Sequence, residues 1–167
     1  MTQRINEPLI HPESFNPTWN MEFLNDSLYN GKKFRVLNIM DDYNREVIGI
    51  ETHLSMGTGK VIEILDRVIQ ERANSKLIRV DNEPVFVAGM IREWCNQDEI
   101  FLKFIQPGKF SQNGYIERFN RTYRQSVLDA YIFENMDQVR IISEEWMDDY
   151  NISRPHEELG GKSPIQF

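Results

Sequence analysis

An α/β fold, a mixed sheet flanked by helices, is what this 167-residue sequence predicts. Two observations carry that prediction. Short runs rich in β-branched and aromatic residues end in turn signals, and from residue 55 onward they alternate with stretches whose apolar residues recur at helical spacing. The order is three strands, then helix, strand, helix, strand and two closing helices, which implies one sheet with helices against it. A hydrophobic content of 40% over this length suits a single domain with a sizeable core.

Taken in order, residues 1–17 carry Pro8, Pro12 and Pro17 with little periodicity, which predicts an extended N-terminal arm ahead of a folded core over 18–167. Trp19 to Leu24 alternates Trp19, Met21 and Phe23 against Asn20, Glu22 and Leu24, a first strand with Glu22 on its less apolar face. Tyr29 to Lys32 supplies a hairpin turn, Phe34 to Met40 a second strand, Asp41 to Arg45 another turn, and Val47 to Thr52 a third strand. Three antiparallel strands are expected. After a polar, glycine-containing break at Ser55 to Gly59, the spacing of Val61, Ile64, Leu65, Val68 and Ile69 predicts a helix ending near Ala73. Leu77 to Val80 reads as a buried strand that delivers Asp81. A single helix is expected from about Val85 to Asn96, carrying Phe86, Met90, Ile91 and Trp94, followed by a fifth strand over Ile100 to Ile105. A loop with Pro107, Gly108 and Gly114 then feeds a helix to about Ala130. A last helix runs from about Asp137 to Asn151, with Asn135 and Gln138 as its capping pair.

The stretch Gln106 to Arg124 holds the clearest chemistry. Tyr115, Ile116, Phe119 and Tyr123 can line one helix face, Glu117 sits in the first turn, and Arg118, Arg121 and Arg124 follow. Arg121 lies one turn beyond Glu117 and Arg124 two, so an acid suited to a metal and bases suited to phosphate share one side. An amphipathic helix with ordinary i,i+4 ion pairs gives the same pattern. Asp81, at the end of a strand, lies 36 positions before Glu117 and is a second acid of the same kind.

The net charge of −7 argues against a surface that grips nucleic acid everywhere, because such binding rests on phosphate neutralisation by Lys and Arg. Lys103 to Arg124 nevertheless holds five cations against one acid, a basic strip within an acidic protein. A single cysteine, Cys95, excludes an internal disulfide and a cysteine-cluster zinc site, and its place on an apolar helix face suits a core residue. His11 and His53 have no partners at metal spacing. No run reaches the roughly 18 apolar residues of a membrane span, and the first ten residues lack the apolar core of a signal peptide. A cytoplasmic protein without a membrane partner is expected.

Five blocks carry a family resemblance: TWNMEF (Thr18 to Phe23), FRVLNIMDDYNRE (Phe34 to Glu46), IRVDNEPVF (Ile78 to Phe86), the stretch Gln106 to Arg124, and YNISRPHEELGGKSP (Tyr150 to Pro164). In this order, over nearly the whole chain, they resemble the integrase catalytic core, in particular the OrfB-type transposases of bacterial insertion sequences, relatives of retroviral integrases. The resemblance implies a ribonuclease-H-like fold with a five-stranded mixed sheet and a C-terminal helical tail. It also implies metal-dependent cleavage and strand transfer at DNA ends, with Mg2+ or Mn2+ held by three carboxylates. Carried over by position, Asp81 matches the second acid and Glu117 the third, and Glu22 stands where the family has Asp. Lys109, Gln112, Asn113, Arg121 and Arg124 are the implied DNA contacts. Transposon ends and target DNA are the implied partners, with assembly as a homo-oligomer on DNA and a DNA-binding protein from an upstream reading frame. The bacterial nucleoid is the implied site of action.

Three departures bear on activity. Glu22 adds one methylene, about 1.5 Å of reach, in a constellation usually held to about 0.5 Å. Glu83 replaces the family's Gly in the turn after Asp81, where Gly commonly permits a positive φ or a close approach; it restricts that conformation and adds negative charge where DNA phosphate would come near, and Val85 replaces the family's Glu. Asp41 and Asp42 read as turn residues rather than as substitutes at the metal site. Three readings stay open: an active transposase core, a silent relic or regulatory DNA-binding or dimerising protein, and a nuclease of RNA–DNA hybrids with the same fold and metals.

Overall fold

Apolar residues on both faces of the strand Thr18–Ser27 (β1) put it inside the sheet: Trp19, Met21 and Phe23 are buried on one side, and Leu24 packs on the other. β1 pairs antiparallel with Lys33–Asp41 (β2), which pairs antiparallel with Val47–His53 (β3). On its other side β1 runs parallel to Leu77–Val80 (β4), and β4 runs parallel to Phe101–Phe104 (β5). The five-stranded mixed sheet of the sequence prediction results, in the order β3-β2-β1-β4-β5. The turn at Tyr29 to Lys32 closes with Leu28 N–H donating to the Lys32 carbonyl at 2.9 Å, and Gly31 takes the positive φ of 85° that this turn requires.

The computed structural model describes residues 18–72, 75–105 and 114–167. The predicted arm over 1–17 and the loop with Lys109, Gln112 and Asn113 lie outside them.

Helices cover both faces. Thr58–Glu71 (α1) buries Val61, Ile64, Leu65 and Val68 as their spacing predicts, but it begins inside the stretch expected to be a break. The single helix expected over Val85 to Asn96 is two: Pro84–Val87 (α2) and Gly89–Gln97 (α3). Ala88 separates them in extended conformation, φ −56° and ψ 139°. The break shifts the helical phase, so Phe86 and Ile91 are buried while Met90, which shared their predicted face, is 58% exposed. These helices pack on Trp19, Met21, Phe23, Ile39, Ile78 and Val80.

On the opposite face lie Gly114–Tyr123 (α4), which continues as a π-helical turn over Arg124–Leu128, and Met136–Ile152 (α5). Ile116, Phe119, Tyr123, Val127 and Val139 pack there against Phe34, Val36 and Met40. The α5 cap is as predicted: the Asn135 side chain accepts from Gln138 N–H, and the Gln138 side chain accepts from Glu134 N–H.

Candidate active site

Side chains alternate across a strand, so the pairing of Glu22 with Asn38 puts both on the face covered by α4 and α5. The β1–β4 ladder registers Asn20 opposite Arg79 and goes no further. Two residues beyond come Glu22 on β1 and Asp81, the first residue past the end of β4. The two acids thus lie where the sheet changes from antiparallel to parallel pairing, at the carboxyl end of β4, the kind of crevice in which α/β sheets take ligands. Glu117 comes to the same place from the first turn of α4.

The charges of Glu117 and Asp81 both act on Glu22. Burial, then Glu117, then Asp81 push its carboxyl from the ordinary range up to about 7, and the Asn120 amide pulls it down. Burial also raises Asp81, and the Glu83 N–H that donates to Asp81 Oδ1 at 3.1 Å lowers it. Glu117 is raised by burial and lowered by Arg121, so the predicted neighbourhood of acid and cation on α4 exists. Asn120, one turn after Glu117, accepts from Asn38 Nδ2 at 2.7 Å inside the protein, which ties α4 to β2 directly beside Glu22.

A carboxylate lifted by two neighbouring acids suits a divalent cation, whose charge would relieve the repulsion on Glu22. Among the described residues, however, no group of three His, Cys, Asp or Glu side chains is close enough to enclose a metal ion. The carboxylates are neighbours in charge and do not form a closed ligand cage.

Beneath the acids sits a buried polar layer that the sequence did not disclose. Arg79 Nη1 donates to Asp42 Oδ2 at 2.8 Å, Asn20 donates to the other Asp42 oxygen, and Arg45 donates to the Asp42 carbonyl. Burial lifts the Asp42 carboxyl to about 6 against the pull of Arg79 and Arg45. Arg45, at a positive φ of 62°, also lays its guanidinium 3.4 Å from the centre of the Tyr115 ring, joining the β2–β3 turn to the first turn of α4. Asp41 accepts from Tyr43 N–H at 2.9 Å and lies 3.7 Å from Arg72. Asp41 thus combines the predicted turn chemistry with ion pairing, whereas the Asp42 side chain turns inward to Asn20 and Arg79. The available signal was Arg79, a cation inside a run that otherwise reads as a buried strand.

The expectation that this turn needs a conformation Glu83 restricts is corrected. Glu83 has φ −56° and ψ 138°, the extended region that a following proline imposes, and Pro84 follows. No positive φ is needed there. Val85 packs against the first core and accepts from Thr58 Oγ1 at 3.1 Å. Arg124 donates to the Asn25 carbonyl at 2.9 Å and lies 3.9 Å from both Asp26 and Asp129. Cys95 is buried, its thiol pushed up to about 11, and unsuited to nucleophilic chemistry. The His156 ring packs edge-on against Tyr150.

An integrase core domain model matches residues 13–109, and a second integrase core domain model matches residues 98–164. The chain is 33% identical over 161 residues to the insertion element IS407 uncharacterized 31.7 kDa protein of Burkholderia multivorans, covering 96% of this chain and 58% of that one. It is 34% identical over 152 residues to the insertion element IS476 uncharacterized 39.2 kDa protein of Xanthomonas euvesicatoria, covering 91% and 44%. It therefore spans about half the length of the curated relatives it matches. Among solved structures, the HTLV-2 integrase catalytic core domain in complex with magnesium superposes with a TM-score of 0.71 at 17% identity, covering 90% of this chain and 95% of that one. The BIV integrase catalytic core gives 0.68 at 19% identity, covering 90% and 92%. No helix among the described residues is long and apolar enough to cross a membrane. With the sheet and these matches in agreement, the chain belongs to the integrase core domain family, is similar to proteins of bacterial insertion elements, and has the ribonuclease-H-like fold of retroviral integrase catalytic cores.

Proposed function

We propose that this chain carries out metal-dependent cleavage and strand transfer at DNA ends through Glu22, Asp81 and Glu117, on a core that extends over residues 18–167. The observation that supports it is that Glu117 on α4 and Asp81 just past β4 are near enough to Glu22 on β1 for their charges to lift its carboxyl. Glu22, Asp81 and Glu117 would hold Mg2+ or Mn2+, which would supply charge stabilisation to phosphodiester displacement. The chain's own part is to hold the three oxygen donors. Asn120 and Asn38 fix the surroundings of Glu22, and Arg45 on Tyr115 fixes the turn that carries Glu117. Burial and the two neighbouring acids push the Glu22 carboxyl up to about 7, and a cation held there would favour its ionised form. Lys109, Gln112, Asn113, Arg121 and Arg124 are the proposed DNA contacts, with a homo-oligomer and an upstream DNA-binding protein as partners on transposon ends and target.

A regulatory reading, in which the chain occupies DNA or dimerises without cutting, has one observation in its favour: the carboxylates do not close into a ligand group. Calorimetry with Mn2+ and Mg2+, followed by strand transfer with a pre-cut duplex end, separates the two. Glu22→Asp combined with Glu83→Gly is expected to bind Mn2+ more tightly and to raise strand transfer on the order of 10²-fold. Metal binding and joining by the native chain support the enzyme; gain of both only in the double variant supports the regulator. A double variant that binds no metal contradicts the assignment of the three acids.

A further inference from the structure

Arg35 leaves β2 on the face away from Glu22, yet its guanidinium ends beside the acid site. It lies 3.9 Å from the centre of the Phe23 ring, which stacks on Phe86 at 5.2 Å, and its Nε donates to Asn25 Oδ1 at 3.0 Å. An aromatic floor and one hydrogen bond therefore fix the plane of the fork. The remaining edge points at Glu83, whose Oε1 is 3.2 Å from Arg35 Nη2. Glu83 is also the residue whose N–H holds Asp81, so the pair stands at the rim of the site. Arg35 further lines an open groove of about 680 Å³ together with Asn25, Asp26, Lys33 and Leu54.

The Glu83 carboxylate is not what shapes its turn. Pro84 sets the backbone, and the contact to Asp81 is made by the Glu83 main chain. What the side chain does is present an anionic oxygen to a preorganised guanidinium, as a phosphodiester oxygen can. Both members are partly exposed, 22% for Arg35 and 32% for Glu83. Pairs of this kind are weak enough to be exchanged for another anion.

We propose that Arg35 is a backbone-phosphate contact at the rim of the active site and that Glu83 is its intramolecular competitor, displaced when DNA enters. The inference rests on the reading of this chain as a DNA-acting core and adds a contact to it. Glu83 then weakens DNA binding by occupying a cation, whatever happens at the metals.

The test is binding of the full chain to a labelled duplex with a pre-cut end, titrated across salt concentrations, for the native chain, Glu83→Gln, Arg35→Gln and the double variant. Glu83→Gln is expected to tighten binding several-fold and to steepen the salt dependence by about one released ion. In the Arg35→Gln background the same change is expected to do nothing. Equal tightening in both backgrounds means that only net charge was altered, and overturns the proposal. So does a native chain that binds DNA with no response to Glu83→Gln. If no variant binds DNA at any salt, the DNA reading itself falls and takes this contact with it. Arg35→Lys, which keeps the charge but not the fork, is expected to retain less than half of the tightening in the event that Arg35→Gln fails to fold.

Discussion

A charge buried with its partner is safe only while both remain. Arg79 and Asp42 are both buried within the sheet's polar layer, joined at 2.8 Å. Replacing Arg79 alone, as in Arg79→Met, leaves Asp42 without its main counter-charge and is expected to cost about 3 to 5 kcal/mol. Combining it with Asp42→Asn, which keeps a polar group for Asn20, is expected to recover more than half of that loss in urea denaturation; equal losses in the two variants would show that the pair's charge is not what matters. The same residues show what a sequence can and cannot disclose. The places of Asp81 past a strand end and of Glu117 in a first helical turn were legible because both are local signals. Arg79 with Asp42 spans 37 positions and Asn38 with Asn120 spans 82, so each pair exists only once strand register and helix docking are set. No local pattern announces such a pair.

At the level of elements, the last helix was the most legible, because its cap is written in adjacent residues. Asn135→Ala removes the acceptor for Gln138 N–H and is expected to lower stability by about 1 kcal/mol, read as a small drop in the urea midpoint. Asn135→Ser is expected to restore most of it. The helix after Asp81 was misread for a physical reason. Phe86, Met90 and Trp94 follow one helical stripe, and alanine at 88 favours helix, yet the core needs Phe86 on Phe23 and Ile91 one step out of phase with it. Tertiary packing decided, and Ala88 took the extended conformation that makes the phase shift. The π-helical turn after α4 is similar: Asp129 N–H reaches back to the Arg124 carbonyl at 2.7 Å while Arg124 itself is fastened to the end of β1.

Over the whole molecule, every resolved carboxylate shift among the described residues is upward: Glu22 to about 7, Asp42 to about 6, and Asp41, Asp81 and Glu117 in the same direction. Burial is the largest cause in each. The folded chain therefore retains protons that the unfolded chain has released. The stability this contributes is present in full below the ordinary carboxylate range and is lost as pH rises to about 7. His53, lowered by burial, acts in the opposite sense around its ordinary value and offsets part of the trend. The urea midpoint is expected to be higher at pH 5.5 than at pH 8, by an amount corresponding to roughly 1 to 3 kcal/mol, with a smaller difference in Glu22→Gln. A midpoint that climbs between those two pH values would contradict the proposed burial of the acid site. The continuous pairing of β1 with β2, from Trp19 opposite Asp41 to Ser27 opposite Lys33, adds a constraint of another kind. Glu22 faces α4 because of its parity along the strand, so one residue inserted between Asn20 and Glu22 would turn the acid toward α1 and bring an apolar neighbour into its place. Two inserted residues would restore the facing. Facing alone does not keep the site, because two residues also carry the acid about 7 Å along the strand, so an insertion of either parity that moves Glu22 off its pairing with Asn38 separates it from Asp81 and Glu117.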